Sequence, residues 1–234
     1  QLFLMSQSNI FIDIGNSAVK WRTHETEVFS QNIDTFSLKL LPKADTVWVS
    51  AVSHTNILEA IKTEYTNVKE VHSLKQFGKL TLAYKDSSKL GVDRFLAMLG
   101  ALEHFPNDHL LIIDVGSAVT FDVINNKGEH QGGLIMPGLK ALRESFSKFS
   151  TNDLALKSTS LKTNTEEAWQ SGTHAMLISS INNQIQVYES KHPNGEVLIC
   201  GGIVKEVLSE LPNTINYYDN LVLDGLESYS KSMG

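Results

Sequence analysis

The sequence has 234 residues, of which 41% are hydrophobic and 20% charged, a composition typical of a folded globular protein. Twenty Lys and Arg against 26 Asp and Glu give a net charge of −6, which argues against a nucleic-acid partner. The single cysteine, Cys200, excludes an intrachain disulfide and a Cys-rich zinc site and suits a reducing cytoplasm. No apolar run approaches the ~18 residues of a membrane-spanning helix, so we expect no membrane partner.

The first residues carry two expectations. The chain begins with Gln1, and we expect the native protein to start at Met5, with residues 1–4 a cloning remnant. Residues 1–5 are also too short, and lack the basic residues, for a secretory signal.

Strand-like and helix-like stretches alternate along the first half, which is typical of an α/β protein. The pattern predicts strands over residues 9–14, 18–21, 46–50 and 79–84 and helices over residues 56–65 and 95–105. Pro106 closes the second of these helices.

The second half opens on a hairpin over residues 110–119, followed by predicted turns at Gly132-Gly133 and Pro137-Gly138. Helices are predicted from Leu139 and over residues 166–188. A strand over residues 197–200, a Gly201-Gly202 turn and a helix over residues 203–211 follow. The Gly201-Gly202 step could place a helix N-terminus near a nucleotide, although glycine also simply ends strands.

The opening hairpin is repeated in the second half. Residues 9–18 read NIFIDIGNSA and residues 110–119 read LLIIDVGSAV: in each, an apolar run meets an aspartate, an apolar residue, a glycine and a small polar residue. A repeat as long as a domain predicts two related halves. We place the boundary so that the domains are residues 1–107 and 108–234.

The repeated turn has the composition of a phosphate-binding loop. Asp13 and Asp114 end buried strands, and the following glycines allow backbone N–H groups to face a phosphate. Polar groups of the same two turns add further contacts: Asn16, Ser17, Lys20 and Ser117. Two such hairpins could hold the phosphates of ATP, with the aspartates binding the cation. One copy alone would be an ordinary hairpin turn; two matched copies favour the functional interpretation.

Residues 84–94 read YKDSSKLGVDR and lead into a helix. Asp93 is either its N-cap or an acceptor for a hydroxyl proton. Arg94 is either a solvent-facing cation or, since the helix dipole disfavours positive charge in a first turn, a partner for a substrate carboxylate. Thr163 and Glu166 fit a capping box before the long helix. The eight histidines lack metal-ligand spacing, and Cys200 is interpreted as packed rather than reactive.

Together these motifs resemble the type III pantothenate kinases of the acetate and sugar kinase/Hsc70/actin superfamily. The resemblance rests on Asp-x-Gly-Asn-Ser at residue 13, Gly-Val-Asp-Arg at residue 91, Asp-x-Gly-x-Ala-x-Thr at residue 114 and Gly-Gly-x-Ile-x-Pro-Gly at residue 132. It implies two related actin-like, ribonuclease H-like α/β domains, each with a mixed sheet flanked by helices, and a nucleotide cleft between them.

The resemblance also implies roles for particular residues. Asp93 would accept the proton of the pantothenate hydroxyl, Arg94 would bind the pantothenate carboxylate, and Asp114 would bind a monovalent cation, K⁺ or NH₄⁺. Asp13 would also contact Mg²⁺. The ATP-binding residues would be Asp13, Ile14, Gly15, Asn16, Ser17, Ala18, Val19, Lys20 and Ser117. The pantothenate-binding residues would be Tyr84, Gly91, Val92, Asp93, Arg94 and Thr165.

The implied activity is ATP-dependent phosphorylation of pantothenate to 4′-phosphopantothenate, the first step of coenzyme A biosynthesis, in a cytoplasmic homodimer whose substrate pocket lies at the interface. The chain departs from the family pattern at Ser17 and Ser117, which replace threonine, and at Ala18, which replaces arginine in many members. Three alternatives remain at this stage: an exopolyphosphatase-like phosphohydrolase of the same superfamily, a non-catalytic actin-like ATP-binding protein, and a nucleotide-binding regulator.

Overall fold

A computed structural model describes residues 8–23, 27–149 and 159–233. The expectation about Met5 lies outside these residues. The chain divides into two compact units, Gln1–Pro106 with Asn220–Gly234 and Asn107–Asp219. Each unit is built around its own five-stranded sheet.

The first unit contains a mixed sheet in the order β3-β2-β1-β4-β5. β1, β2 and β3 are antiparallel neighbours, whereas β4 and β5 run parallel to β1. Four apolar side chains of β1 are fully buried because both faces of this central strand are covered. The strands are β1 (Asn9–Ile14), β2 (Ala18–Thr23), β3 (Phe29–Asn32), β4 (Thr46–Ala51) and β5 (Val68–Glu70).

Besides these strands, the part of the first unit that precedes residue 107 contains two α-helices and a small two-stranded ribbon. Helix α1 (Thr55–Glu64) connects β4 to β5, and helix α2 (Val92–His104) begins just after Gly91. The ribbon pairs β6 (Gln76–Phe77) with β7 (Leu80–Thr81).

The second unit repeats this topology. Its sheet has the order β10-β9-β8-β11-β12, with β11 and β12 parallel to β8, so the predicted duplication is confirmed in the strand order. The strands are β8 (Leu110–Val115), β9 (Ala118–Ile124), β10 (His130–Pro137), β11 (Glu196–Cys200) and β12 (Ile215–Tyr217). The helices are α3 (Leu139–Glu144), α4 (Thr165–Lys191) and α5 (Val204–Val207).

Helix α4 covers the second sheet through apolar residues that recur at helical spacing. Leu177, Ile181 and Ile185 are fully buried and belong to the same core as Ile113 and Ile199 of the central strands. The predicted helix over residues 166–188 is therefore confirmed, with slightly longer ends. Within the described residues, no helix is both long enough and apolar enough to cross a bilayer.

The C-terminal helix α6 (Leu221–Met233) belongs to the first unit, whereas the predicted division placed it in the second. The reason is that α6 packs closely against α2 at positions where both helices carry glycine. A Cβ atom on Gly225 would lie 1.9 Å from the Leu96 carbonyl oxygen, and one on Gly100 would lie 2.3 Å from the Leu221 carbonyl oxygen. The Arg22 guanidinium also binds the carboxylate of Asp224 at 2.8 Å. The predicted boundary after residue 107 otherwise lies within one residue of the observed one.

Other local predictions need correction. The predicted strand over residues 79–84 forms only the two-residue β7, and the helix over residues 203–211 is the four-residue α5 followed by a 3-10 turn. The predicted Gly132-Gly133 turn is wrong: both glycines lie within β10, where Gly132 has a φ of 113° and the register shifts. Glycine is required there for a β-bulge and not for a chain reversal.

Candidate active site

Asp13 lies at the end of β1, and two neighbouring strands fix its surroundings. It is paired with Lys20 of β2 and with Ser50 of β4. The Ser50 hydroxyl, which is fully buried, donates a hydrogen bond of 2.8 Å to Asp13 Oδ1. Directly opposed residues of an antiparallel pair project to the same face, so the Lys20 side chain leaves the sheet on the same face as the Asp13 carboxylate.

The turn of the first hairpin directly follows β1. Residues 15–18 connect the paired residues Ile14 and Val19, and the Gly15 N–H donates to the Ala18 carbonyl at 3.0 Å. Asn16 and Ser17 are exposed, whereas Ile14 and Val19 are buried. The predicted ATP-binding segment therefore forms one hairpin, in which Ile14 and Val19 could offer a ligand only their backbone.

The second turn resembles the first but is shorter. Residues 116–118 connect Val115 to Val119, one residue fewer than in the first hairpin, and Asp114 pairs with Thr120 and with Cys200. Thr120 thus occupies the register position that Lys20 holds in the first hairpin, so this position carries a hydroxyl group and not an ammonium group. Cys200 is buried, which confirms that it is packed.

Two backbone segments pack closely on the second turn, and both require glycine. The Gly138 N–H donates to the Ser117 carbonyl at 3.1 Å, and a Cβ atom on Gly138 would lie 2.4 Å from the Gly116 carbonyl oxygen. Gly201 has a φ of 123°, and its Cβ would lie 2.3 Å from the Val115 carbonyl oxygen. The four residues of α5 are too few for the helix N-terminus that the Gly201-Gly202 step suggested.

Tyr84, Asp93 and Arg94 lie together at the start of α2. Arg94 is only 6% exposed; its guanidinium donates to the Tyr84 hydroxyl at 3.2 Å and lies 5.8 Å from the centre of that ring. Asp93 Oδ1 accepts the Arg94 backbone N–H at 2.8 Å. The interpretation of Arg94 as a solvent-facing cation is therefore wrong. Asp93 is not the N-cap either, because Gly91 holds that position.

This group lies at the same edge of the first sheet as Asp13. The Ser73 hydroxyl, which follows the carboxyl end of β5, donates to the Leu90 carbonyl at 2.9 Å and so fixes the segment just before Gly91. Because β1, β4 and β5 are parallel, their carboxyl ends share one edge, which is where open α/β sheets bind ligands. Val92, which was predicted to bind pantothenate, has a buried side chain that packs in the core.

Thr165 is the first residue of α4 and is exposed. The cap of this helix is Asn164, whose side chain accepts the Glu167 N–H at 2.9 Å. The predicted Thr163–Glu166 capping box is therefore wrong, and Thr165 does not serve as the cap. Thr165 belongs to the second unit, whereas Tyr84, Asp93 and Arg94 belong to the first.

The described residues contain no group of three or more His, Cys, Asp or Glu side chains that could hold a metal. Asp13 and Asp114 are instead single carboxylates, each at a strand end beside a hydroxyl- or amide-bearing turn. Magnesium is commonly bound through one or two carboxylates together with substrate phosphates, so this donor set fits a cation that arrives with a nucleotide.

Sequence reasoning missed Ser50, which orients Asp13, and the segment after β4 that packs on the first turn. The Ser53 hydroxyl donates to the Gly15 carbonyl at 3.3 Å. The sequence did offer a signal for Ser50. It is a polar residue near the end of the apolar strand β4, and it lies directly beside Asp13.

The duplicated sheet, with an aspartate hairpin in each copy, defines a two-domain actin-like fold. Two solved structures share it: a Baf family protein from Campylobacter jejuni, whose name links it to transcriptional activation (22% identity, TM-score 0.63, 95% of this chain and 97% of that one), and MreB5 of Spiroplasma citri bound to ADP (11% identity, TM-score 0.51, 97% of each chain).

Sequence comparison narrows this class to one family. The family model described as type III pantothenate kinase matches residues 9–187. A type III pantothenate kinase from Hahella chejuensis is 31% identical, over 92% of this chain and 94% of its own length. One from Colwellia psychrerythraea is 28% identical, over 94% of this chain and 99% of its own length. The chain belongs to the type III pantothenate kinase family, and it is a phosphotransferase.

Proposed function

We propose that this protein transfers the γ-phosphoryl group of ATP to the primary hydroxyl of pantothenate, giving ADP and 4′-phosphopantothenate. The observation that carries the proposal is the burial of Arg94 in the first turn of α2, where the Asp93 carboxylate accepts the Arg94 backbone N–H. Positive charge in a first helical turn is unfavourable for the helix, and the carboxylate of pantothenate would compensate it.

In this proposal, Arg94 binds the pantothenate carboxylate with two parallel hydrogen bonds, and Tyr84 holds the guanidinium in place. The primary hydroxyl is then aligned with the γ-phosphorus. Asp93 accepts the hydroxyl proton as the new O–P bond forms, and the bond from the γ-phosphorus to the β,γ-bridging oxygen breaks, releasing ADP.

The hairpins contribute charge and positioning for the triphosphate. The N–H groups of residues 16–18 and the Lys20 ammonium are complementary to phosphate oxygens, and Ser117 adds a hydroxyl from the second hairpin. Asp13 would bind Mg²⁺, and Asp114 would bind K⁺ or NH₄⁺; bound cations neutralise charge that develops on the phosphate oxygens. Positioning and charge stabilisation account for most of the catalysis of phosphoryl transfer.

We further propose a cytoplasmic homodimer in which Thr165 completes the pantothenate pocket. Support comes from large apolar side chains that the second unit exposes around β10, α3 and α4. Leu161 is fully exposed and Ile135 is 64% exposed, an unfavourable arrangement unless a partner covers them. The other exposed members are Leu134, Phe146, Met176 and Val187.

The test is ADP release from ATP with Mg²⁺ and K⁺, with and without pantothenate, together with mass spectrometry of the product. We expect ADP release to require pantothenate and a product heavier than pantothenate by one phosphoryl group. ADP release that is independent of pantothenate would favour a phosphohydrolase instead, and ATP binding without turnover would favour an actin-like binding protein. Analytical ultracentrifugation of the active enzyme tests the dimer, and a fully active monomer would contradict it.

A further inference from the structure

The carbonyl groups of the first turn are held by a regular set of hydrogen bonds. Three consecutive residues after β4 donate to three consecutive carbonyls: the Val52 N–H to Ile14 at 3.2 Å, the Ser53 hydroxyl to Gly15 at 3.3 Å, and the His54 ring nitrogen Nε2 to Asn16 at 3.2 Å. Because the partner of Nε2 is a carbonyl oxygen, that nitrogen carries the proton.

The remaining two carbonyls of the turn are also engaged. The Ile33 N–H donates to the Ser17 carbonyl at 3.0 Å, and the Gly15 N–H closes the turn onto the Ala18 carbonyl at 3.0 Å. Every carbonyl from residue 14 to residue 18 therefore accepts a hydrogen bond from the protein. A turn whose partially negative oxygens are all held by internal donors repels an approaching polyanion less than one whose oxygens are free to rotate toward it.

His54 adopts a backbone conformation that disfavours a side chain. Its φ is 57° and its ψ is 52°, and it is the one non-glycine residue with a positive φ among those that the structure describes. Glycine would adopt this left-handed conformation without strain. A strained residue that is retained beside a ligand-binding turn points to a function of its side chain, and the contact to Asn16 is the one that this side chain makes with the turn.

The second hairpin provides an internal comparison. The segment that follows β11, as residues 52–54 follow β4, is Gly201-Gly202-Ile203. None of these three side chains can donate a hydrogen bond, and Gly201 instead packs its backbone against Val115. Side-chain donors in the segment that follows the neighbouring parallel strand are thus found beside the first hairpin, which is also the hairpin that carries Lys20.

We propose that His54 is a positioning residue for the phosphate chain of the nucleotide. By donating to the Asn16 carbonyl, His54 holds the exposed part of the first turn, residues 16 and 17, so that its carbonyl oxygens are directed away from the phosphates. The inference rests on the proposed function, because it takes the first turn to bind ATP. Ser53 contributes in the same way one residue earlier.

The decisive variant is His54→Gly, which removes the donor and also relieves the backbone strain. Binding of ATP–Mg²⁺ and of adenosine is measured by calorimetry, and stability is followed by thermal unfolding. We expect the Kd for ATP to rise about 3- to 10-fold, the range that corresponds to one lost hydrogen bond, with the Kd for adenosine unchanged. The unfolding midpoint should be equal to that of the wild type or higher.

Two further variants complete the experiment. His54→Gln, whose amide nitrogen reaches about as far as Nε2, should restore ATP affinity to within about twofold to threefold of the wild type. His72→Ala changes an exposed histidine away from the turn and should leave all three measurements unaltered.

The outcomes separate this inference from the proposed function. If the wild type binds ATP and His54→Gly binds it equally well, or loses affinity for ATP and adenosine in equal proportion, the positioning role is overturned and the proposed function stands. If the wild type fails to bind ATP at all, the proposed function fails, and the role of His54 fails with it.

Discussion

A Cβ atom on residue 91 would lie 2.5 Å from Oδ1 of Asp93, so the carboxylate occupies the space that any other residue at position 91 would fill. Gly91 has a φ of −55° and a ψ of 137°, a conformation that residues with side chains also adopt. The absence of a side chain, rather than backbone freedom, is what the site requires here.

The Gly91→Ala variant should therefore fold but displace the Asp93 carboxylate. Because a shift of about 1 Å in a catalytic group can cost on the order of 10²-fold in rate, we expect kcat to fall about 10- to 100-fold. The Kd for ATP should be unchanged. Steady-state kinetics and calorimetry measure the two quantities. A variant with wild-type kcat would show that the Asp93 carboxylate can move without consequence.

Asp93→Asn removes the proton acceptor and preserves the size of the side chain. We expect kcat to fall by about 10²- to 10⁴-fold, the usual effect of losing a general base, while the KM for pantothenate changes little. Asp86→Asn is the matched control, since Asp86 is an exposed carboxylate that caps the Ser88 N–H at 3.0 Å. If Asp93→Asn turns over at the wild-type rate, another group accepts the proton.

Arg94→Lys keeps the positive charge but loses the two parallel donors of the guanidinium. We expect the KM for pantothenate to rise about 10-fold or more, with kcat less affected. An analogue in which an alcohol replaces the carboxylate of pantothenate provides the control, because it should be used poorly by both forms and discriminate little between them. Equal losses for pantothenate and the analogue would show that Arg94 supports the fold rather than the carboxylate.

Predictions from the sequence were most accurate for elements that are determined by their own residues. The two aspartate hairpins, the buried strands and the long α4 follow from hydrophobic periodicity and glycine placement, because each of these elements is set by its own residues. The family resemblance implied that Tyr84 and Arg94 belong to one pocket, but the burial of Arg94 was not predicted, since a charged residue in a first helical turn is usually exposed.

What the sequence could not predict depends on contacts between distant segments. Helix α6 was not predicted, and its residues were placed in the second domain. Its packing on the first unit could not be predicted because Gly100 and Gly225, which approach each other closely, are far apart in the chain. The donors of residues 52–54 to the first turn were missed for the same reason. Gly132 was interpreted as a turn because glycine marks turns and bulges alike.

Asp114 carries the proposed monovalent-cation site, and Asp114→Asn tests it. Loss of the negative charge should weaken cation binding, so we expect the K⁺ concentration for half-maximal activity to rise at least about 10-fold. Maximal activity at saturating K⁺ should be partly preserved. Asp108→Asn, at the opposite end of β8, is the control and should leave the K⁺ dependence unchanged. An unaltered K⁺ requirement in Asp114→Asn would place the cation elsewhere.

The docking of α6 on α2 gives the last prediction. A methyl group on Gly225 would collide with the Leu96 carbonyl at 1.9 Å, and backbone atoms in packed helices cannot move aside cheaply. We therefore expect Gly225→Ala to lower the free energy of unfolding by about 1–3 kcal/mol.

The control is Gly172→Ala in α4, where a Cβ atom would meet nothing within 4 Å. Alanine is the better helix former by about 1 kcal/mol, so this variant should be as stable as the wild type or more stable. Guanidinium unfolding measures both variants, and the fluorescence of Trp48, whose ring lies 6.1 Å from that of Tyr229 in α6, reports on the first unit. If Gly225→Ala is as stable as Gly172→Ala, the two helices do not approach each other this closely, and the assignment of the C-terminal helix to the first unit loses its physical basis.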